Sequence, residues 1–390
     1  MTTIGAAPAG QASQLQLTEG GPGVALLRRL RLSSPRWHLR RVAAIAAAVT
    51  WLPLLGLSAL QGLAGPEEGS FLRDLATHAR MLVALPVLVL VERAIGVSLG
   101  AAVEQFGAAE LVRAEDRGRF TALIADSMRL RDSRVAEVLV LLAVGLATFG
   151  LLSAGAVHDA GAWLMPDPDG GRTLAGYWYG LVSLPIFHLI WLRWLYLIGV
   201  WAWFLGRVSR LDLRLDPAHP DAAGGLGFLG QCIVPFGMLL FAASAVFAAE
   251  GLRRVLFAGV DVGAHWPGAV MLLVVGLMIF VGPLLGFVPA LIKLRHHGAL
   301  EYGALASRYT HCFAAKWLGG PREDLLGNAD IQALADLAST HERVEKMRVV
   351  PPGRREVVAL VIPGLIPLLV LAAAVVPIGE ILTSLMRIFV

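Results

Sequence analysis

Cysteine, lysine and charge of either sign are all scarce in this chain of 390 residues. The two cysteines, Cys232 and Cys312, form no CxxC pair and match no zinc spacing, so neither a disulfide framework nor a structural metal cluster is expected. Charged residues make up 16% of the chain, against about a quarter in soluble domains. That argues against a set of two or three soluble domains, which length alone would suggest. A net charge of +4 is too small to mark a nucleic-acid binder. Among 33 basic residues only Lys293, Lys316 and Lys346 are lysines. No Walker pattern is present, and no cofactor is expected. A secretory signal is not expected either, because roughly forty polar and basic residues precede the first apolar run.

Apolar residues are abundant at 56%, and they come in blocks. Seven blocks are long enough to cross a bilayer core of roughly 30 Å. They are Val42–Ala64, Ala76–Leu99, Val135–Val157, Tyr177–Leu205, Gln231–Glu250, Pro267–Ile292 and Val357–Pro377. Lipid cannot satisfy backbone polar groups, so each block reads as a helix. The expected fold is all-α: a polytopic membrane helix bundle of about seven spans with cytoplasmic helical extensions, its bulk solvent the lipid bilayer.

The basic residues then fix the direction. With seven spans, 26 of them fall on one side and six on the other, Arg193 being the remaining one. This predicts a cytoplasmic N-terminus and a periplasmic C-terminus. Residues 1–41 read as a basic, partly disordered tail whose stretch Val24–Arg41 either lies on anionic lipid or simply flags the inside. Residues 42–292 form a six-span core with a helical insertion at 100–134, where Leu111, Phe120, Leu123, Ile124 and Met128 share an apolar face. Residues 293–356 form a cytoplasmic hairpin, with helices over about Ala299–Leu318 and Ala329–Met347 and a Gly-Gly-Pro-Arg turn between them. Residues 357–390 supply the seventh span and a tail. Trp163, Trp178 and Trp266 fall at the outer interface, and Trp201 and Trp203 at the inner one, as a belt would.

Arg193 sits inside the fourth block, and a charge there must face a partner or a wet cavity. It reads either as an ion or substrate contact near the midplane, or as half of a structural ion pair. Glu92 and Glu250 are the candidate partners. His188 is the second intramembrane titratable group and reads as a proton shuttle or as a hydrogen-bonded structural histidine. His78 and Arg80 fall in the outer headgroup layer. Prolines recur in six of the seven blocks, which fits hinges but is common in membrane helices.

A second cluster lies in the stretch from Asp212 to Gly230. Asp216, His219 and Asp221 crowd together there, and Gly224 and Gly225 lead into the fifth block. Glycines let backbone amides approach an anionic ligand. The alternative is a rigid entry loop with Asp221 capping a helix. Too few ligands are present for a metal, and none is expected.

Several strings carry a resemblance: His219-Pro-Asp-Ala-Ala-Gly-Gly-Leu-Gly-Phe-Leu-Gly230, Ala329-Asp-Ile-Gln-Ala-Leu-Ala-Asp-Leu-Ala338, Met347-Arg-Val-Val-Pro351 and Val376-Pro-Ile-Gly-Glu-Ile-Leu382. The chain from about residue 40 resembles a family of uncharacterised bacterial multi-pass inner-membrane proteins. The resemblance implies a bacterial inner-membrane location and brings no activity and no site residues. The expected function is a channel or secondary transporter for a small solute or ion, with a second copy of the chain as a candidate partner. The alternative is a non-catalytic scaffold or signalling protein that meets a cytoplasmic partner through residues 299–347. No enzymatic centre is expected.

Overall fold

The computed structural model describes residues 38–67, 69–153, 161–165, 172–319 and 329–373. Most of the N-terminal tail, all but the first glycine of the Gly-Gly-Pro-Arg turn, and the C-terminal tail lie outside these. So do residues 154–157 of the third predicted block and 374–377 of the seventh. We number nine helices among the described residues. They are α1 (His38–Leu60), α2 (Leu75–Ala108), α3 (Arg117–Arg131), α4 (Arg134–Ser153), α5 (Leu174–Val208), α6 (Phe228–Ala258), α7 (Val262–Trp317), α8 (Ala329–Glu345) and α9 (Arg354–Ala373). No strand forms among the described residues, where an isolated bridge joins Val112 to Leu213.

Six of these helices are long and apolar enough to cross a membrane: α1, α2, α5, α6, α7 and α9. A seventh passes when α3 and α4 are taken together, with a bend of 42° between them. The chain is an all-α, multi-pass membrane protein, and each of the seven predicted blocks falls on one of these helices.

The prolines shape the helices in three ways. A proline has no N–H and its ring clashes with the carbonyl four residues earlier. In α2 the turn before Pro86 opens into a π-helical segment, Ala79–Ala84, and in α5 the turn before Pro185 does the same at Tyr179–Ser183. The clashing carbonyls, of Leu82 and Leu181, lie inside those wider turns. In α6 and α7 the chain tightens instead, into 3₁₀ turns at Val234–Phe236 and Gly282–Phe287. Pro53, Pro363 and Pro367 sit within continuous α-helix.

Several spans outrun the bilayer on the side rich in basic residues. The 34 residues of α2 and 35 of α5 rise about 50 Å, well past a hydrocarbon core of roughly 30 Å. Their extensions build a water-side core with α3. Phe106 packs against Phe120, Phe228 and Phe287, with ring centroids 5.7, 5.1 and 6.5 Å apart, and Phe120 lies 6.0 Å from Phe204. Leu111, Phe120 and Ile124 are buried as their periodicity predicts, with Leu123 and Met128 packed against them. Here, outside lipid, burial of large apolar side chains drives packing at about 1.5–3 kcal/mol each. The loops of this layer interlock. Arg214 N–H donates to Leu111 O at 2.7 Å, and Arg113 pairs with Asp212 at 3.1 Å.

Two expectations need correction. The hairpin's first helix is not a separate element beginning near Ala299, because α7 runs on from the sixth span to Trp317. The Gly282–Phe287 turn absorbs Pro283 without breaking the helix. Trp163 and Trp201 are not belt residues. Trp163 is fully buried, 5.0 Å from the Phe71 ring and 5.6 Å from the Tyr179 ring. Trp201 stacks on Phe204 at 5.4 Å in the water-side core. The Trp163 segment is held in by a close approach of two glycines. Gly161 (φ +100°) packs so tightly on Gly69 that a Cβ there would lie 2.6 Å from the Gly69 carbonyl oxygen.

Candidate functional site

Helices α2 and α5 both run towards the basic side, so they pack as parallel neighbours. Three hydrogen bonds join them at three depths. At the outer end Arg80 donates to the Tyr179 hydroxyl, with its guanidinium 5.7 Å from the Phe187 ring. Midway, Trp194 Nε1 donates to Leu88 O at 3.0 Å. Towards the basic end Arg193 Nη2 donates to Glu92 Oε1 at 2.9 Å. The structure therefore brings Arg193 to Glu92, the first of its two candidate partners.

Arg193 is not at the membrane midplane. Tyr196, one turn further along α5, donates to the backbone oxygen of Leu130 at the corner between α3 and α4. That corner carries Arg129, Arg131, Asp132 and Arg134, which hydrocarbon would not accommodate. The Arg193–Glu92 pair thus lies within one turn of the membrane edge. Its side chains are 33% and 17% exposed, which fits a pair at the edge of a seam rather than a sealed one.

His188 stands away from Arg193 on α5, as five-residue spacing requires. Its Nδ1 lies 3.0 Å from Thr148 Oγ1 of α4. Ser183 and Trp178 of α5 donate to Thr50 O and Val49 O of α1. The polar side chains of α5 are thereby tied to four helices, α1 to α4. Glu250 pairs within its own helix instead. It accepts from Arg253 at 2.8 and 3.1 Å and from Arg254 at 2.8 Å on its own helix.

Sequence reasoning missed the role of Arg80, although a signal exists. Leu82-Val83-Ala84-Leu85-Pro86 and Leu181-Val182-Ser183-Leu184-Pro185 are nearly the same pentapeptide, and each ends a π turn. His78, next to Arg80, accepts from Trp51 Nε1 at 2.9 Å, so it too is tied into the bundle.

The Asp212–Gly230 stretch forms a closed turn around Asp221. Its Oδ1 accepts from the amides of Ala223 and Gly225 at 2.8 and 3.1 Å, and its Oδ2 from Gly227 at 2.7 Å. His219 Nδ1 lies 2.9 Å from Oδ1. Burial pushes the Asp221 carboxyl up, but these amides and His219 outweigh it and hold it below the ordinary carboxylate value. Gly224 (φ +66°) and Gly225 (φ +94°) supply backbone that L side chains rarely adopt, and Asp216 Oδ1 accepts from Ala218 N at 2.9 Å. From the far side Arg348 donates to Asp221 O and Ala222 O, both at 2.8 Å. Amides that an anionic ligand would need are therefore already held by a carboxylate of the loop itself. No group of three or more His, Cys, Asp or Glu is placed to hold a metal among the described residues.

The chain matches no protein-family model, no curated protein and no solved structure.

Proposed function

We propose that this is a bacterial inner-membrane protein, with its basic side in the cytoplasm, that carries a small ion or proton along α5, past its contacts with α2 and α4. One observation carries the reading. Tyr179, His188 and Arg193 descend a single helix, and each is met by a polar side chain from a neighbour: Arg80, Thr148 and Glu92. Ionisable groups at membrane depth are costly and mark pathways more often than they mark packing. Two π turns at the outer end of the seam add to it, since such turns gather at functional sites. The 26 to six division of basic residues supports the orientation. Membership of the uncharacterised inner-membrane family belongs to this proposal too.

The test is flux from liposomes containing the purified protein, with pH- and ion-sensitive dyes. Wild type should dissipate a gradient, and His188→Ala and Arg193→Leu should not, with helical circular dichroism unchanged. Absence of flux for protons and common ions in wild type would overturn the pathway. It would leave the second reading, a scaffold, which the largely exposed α7–α8 hairpin favours.

A further inference from the structure

We infer that the α7–α8 hairpin is a two-fold docking surface for a second copy of this chain. Beyond Phe287, α7 is a helix of 30 residues, Val288–Trp317, and α8 returns along it. The facing stripes are half-buried or buried: Tyr302, Ala306, Tyr309, Phe313 and Trp317 on α7, and Leu334, Leu337, His341 and Val344 on α8. Ile331 and Ala338 of α8 are exposed. A Cβ on Gly303 would lie 3.6 Å from the His341 ring, and Lys316 pairs with Asp330, so these residues share levels along the hairpin.

Four exposed charges stand out. Glu301 and Arg308 each precede a facing residue of α7 by one position, and Asp336 and Arg343 do the same on α8. A step back of one residue rotates about 100° around a helix. Because α7 and α8 are antiparallel, that step turns both stripes to the same face of the hairpin. Leu305, 43% exposed, lies between Glu301 and Arg308 on that face. The hairpin's own ion pairs, Lys316–Asp330, His341–Glu345 and Lys346–Glu342, use none of these four. Among the described residues none of the four has an ion-pair partner, and the Asp336 carboxylate accepts from Gln332.

Copies inserted the same way in one membrane relate by an axis along its normal, so residues at equal levels meet. Glu301 lies two positions before Gly303, and Arg343 two after His341. Arg308 lies five after Gly303, and Asp336 five before His341. Each pair is therefore level. A two-fold mate laid on this face sets α7 beside the second copy's α8, with Glu301 opposite the second copy's Arg343 and Arg308 opposite its Asp336. Symmetry repeats both pairs. Setting α7 against α7 would oppose like charges at both levels, which selects against that packing. Exposed ion pairs are individually weak. They set register here, while Leu305 adds apolar contact and confinement to a membrane raises the effective concentration.

The test is co-purification of two differently tagged full-length copies. Wild-type copies should pull each other down. Arg308→Asp or Asp336→Arg should each cut recovery about tenfold, since each reverses two symmetric pairs. The double variant Arg308→Asp/Asp336→Arg should restore it. Unchanged recovery in the single variants, or no association in wild type, would overturn the proposal. A second measurement uses Arg308→Cys/Asp336→Cys in a Cys312→Ser background. Oxidation should give a covalent dimer, whereas a disulfide only within one chain would also overturn it.

Discussion

Arg80 of α2 donates to the hydroxyl of Tyr179 of α5, and each residue stands six positions before the proline of a π turn. The bond therefore joins equivalent points of two nearly identical local designs. Each proline forces its preceding turn open, and the open turns lie side by side at the outer end of the seam.

Tyr179→Phe tests that bond. It leaves the aromatic packing on Trp163 in place and takes away the acceptor of a guanidinium inside the bundle. The expected loss is about 1–3 kcal/mol, read as a lower unfolding midpoint in detergent. A midpoint within error of wild type would show that the bond contributes nothing to the seam.

The ion pair between Arg193 and Glu92 makes a different prediction. Removing one partner strands a charge near the membrane edge, whereas removing both strands none. Because both side chains keep some exposure, each of Arg193→Leu and Glu92→Leu should cost about 1–3 kcal/mol. The double variant should cost clearly less than the two together. A double-mutant cycle checks this, and simple additivity would mean that the two charges do not interact.

Much of the fold was legible because lipid leaves the backbone few solutions. Apolar blocks of the required length had to be helices, and among the described residues each of the seven falls on one. Pairing the charges was harder. One sequence names Arg193 and two acidic candidates, but only the packing of α2 beside α5 selects Glu92 over Glu250. Depth misled for a related reason. Leu197–Val208 is as apolar as a span, yet it is buried against Phe106, Phe120 and Phe287 in water-side protein. Hydropathy cannot tell a helix greasy for lipid from one greasy for a protein core, so Arg193 looked central. Trp163 failed likewise, since a tryptophan near a span end reads as belt until Phe71 and Tyr179 are found around it.

Asp221 carries a pH dependence whose sign is fixed. Its folded carboxyl lies below the ordinary value, so the ionised form is bound more tightly in the folded protein. The resulting stability is present above about pH 4, the unfolded value, and is lost as pH falls through the folded one. Asp221 is only partly enclosed, so solvent screening limits the effect to about 1 kcal/mol. Asp221→Asn cannot ionise and should lose stability less steeply than wild type between pH 5 and 3, about the ordinary value. Parallel unfolding midpoints across that range would remove the carboxylate's role in holding the loop.

The two cysteines give a readout of topology without any fusion. Cys312 is exposed on α7 in the hairpin, on the basic side, while Cys232 is buried at the start of α6. If that side is cytoplasmic, a maleimide that cannot cross membranes should label Cys312 in inside-out vesicles and leave intact cells unlabelled. Cys232 should react only after denaturation, because reagent cannot reach its sulfur between Leu229 and the packed core. Cys312→Ser should then abolish native labelling altogether. Labelling of Cys312 in intact cells would reverse the orientation of every span and place the α7–α8 hairpin outside.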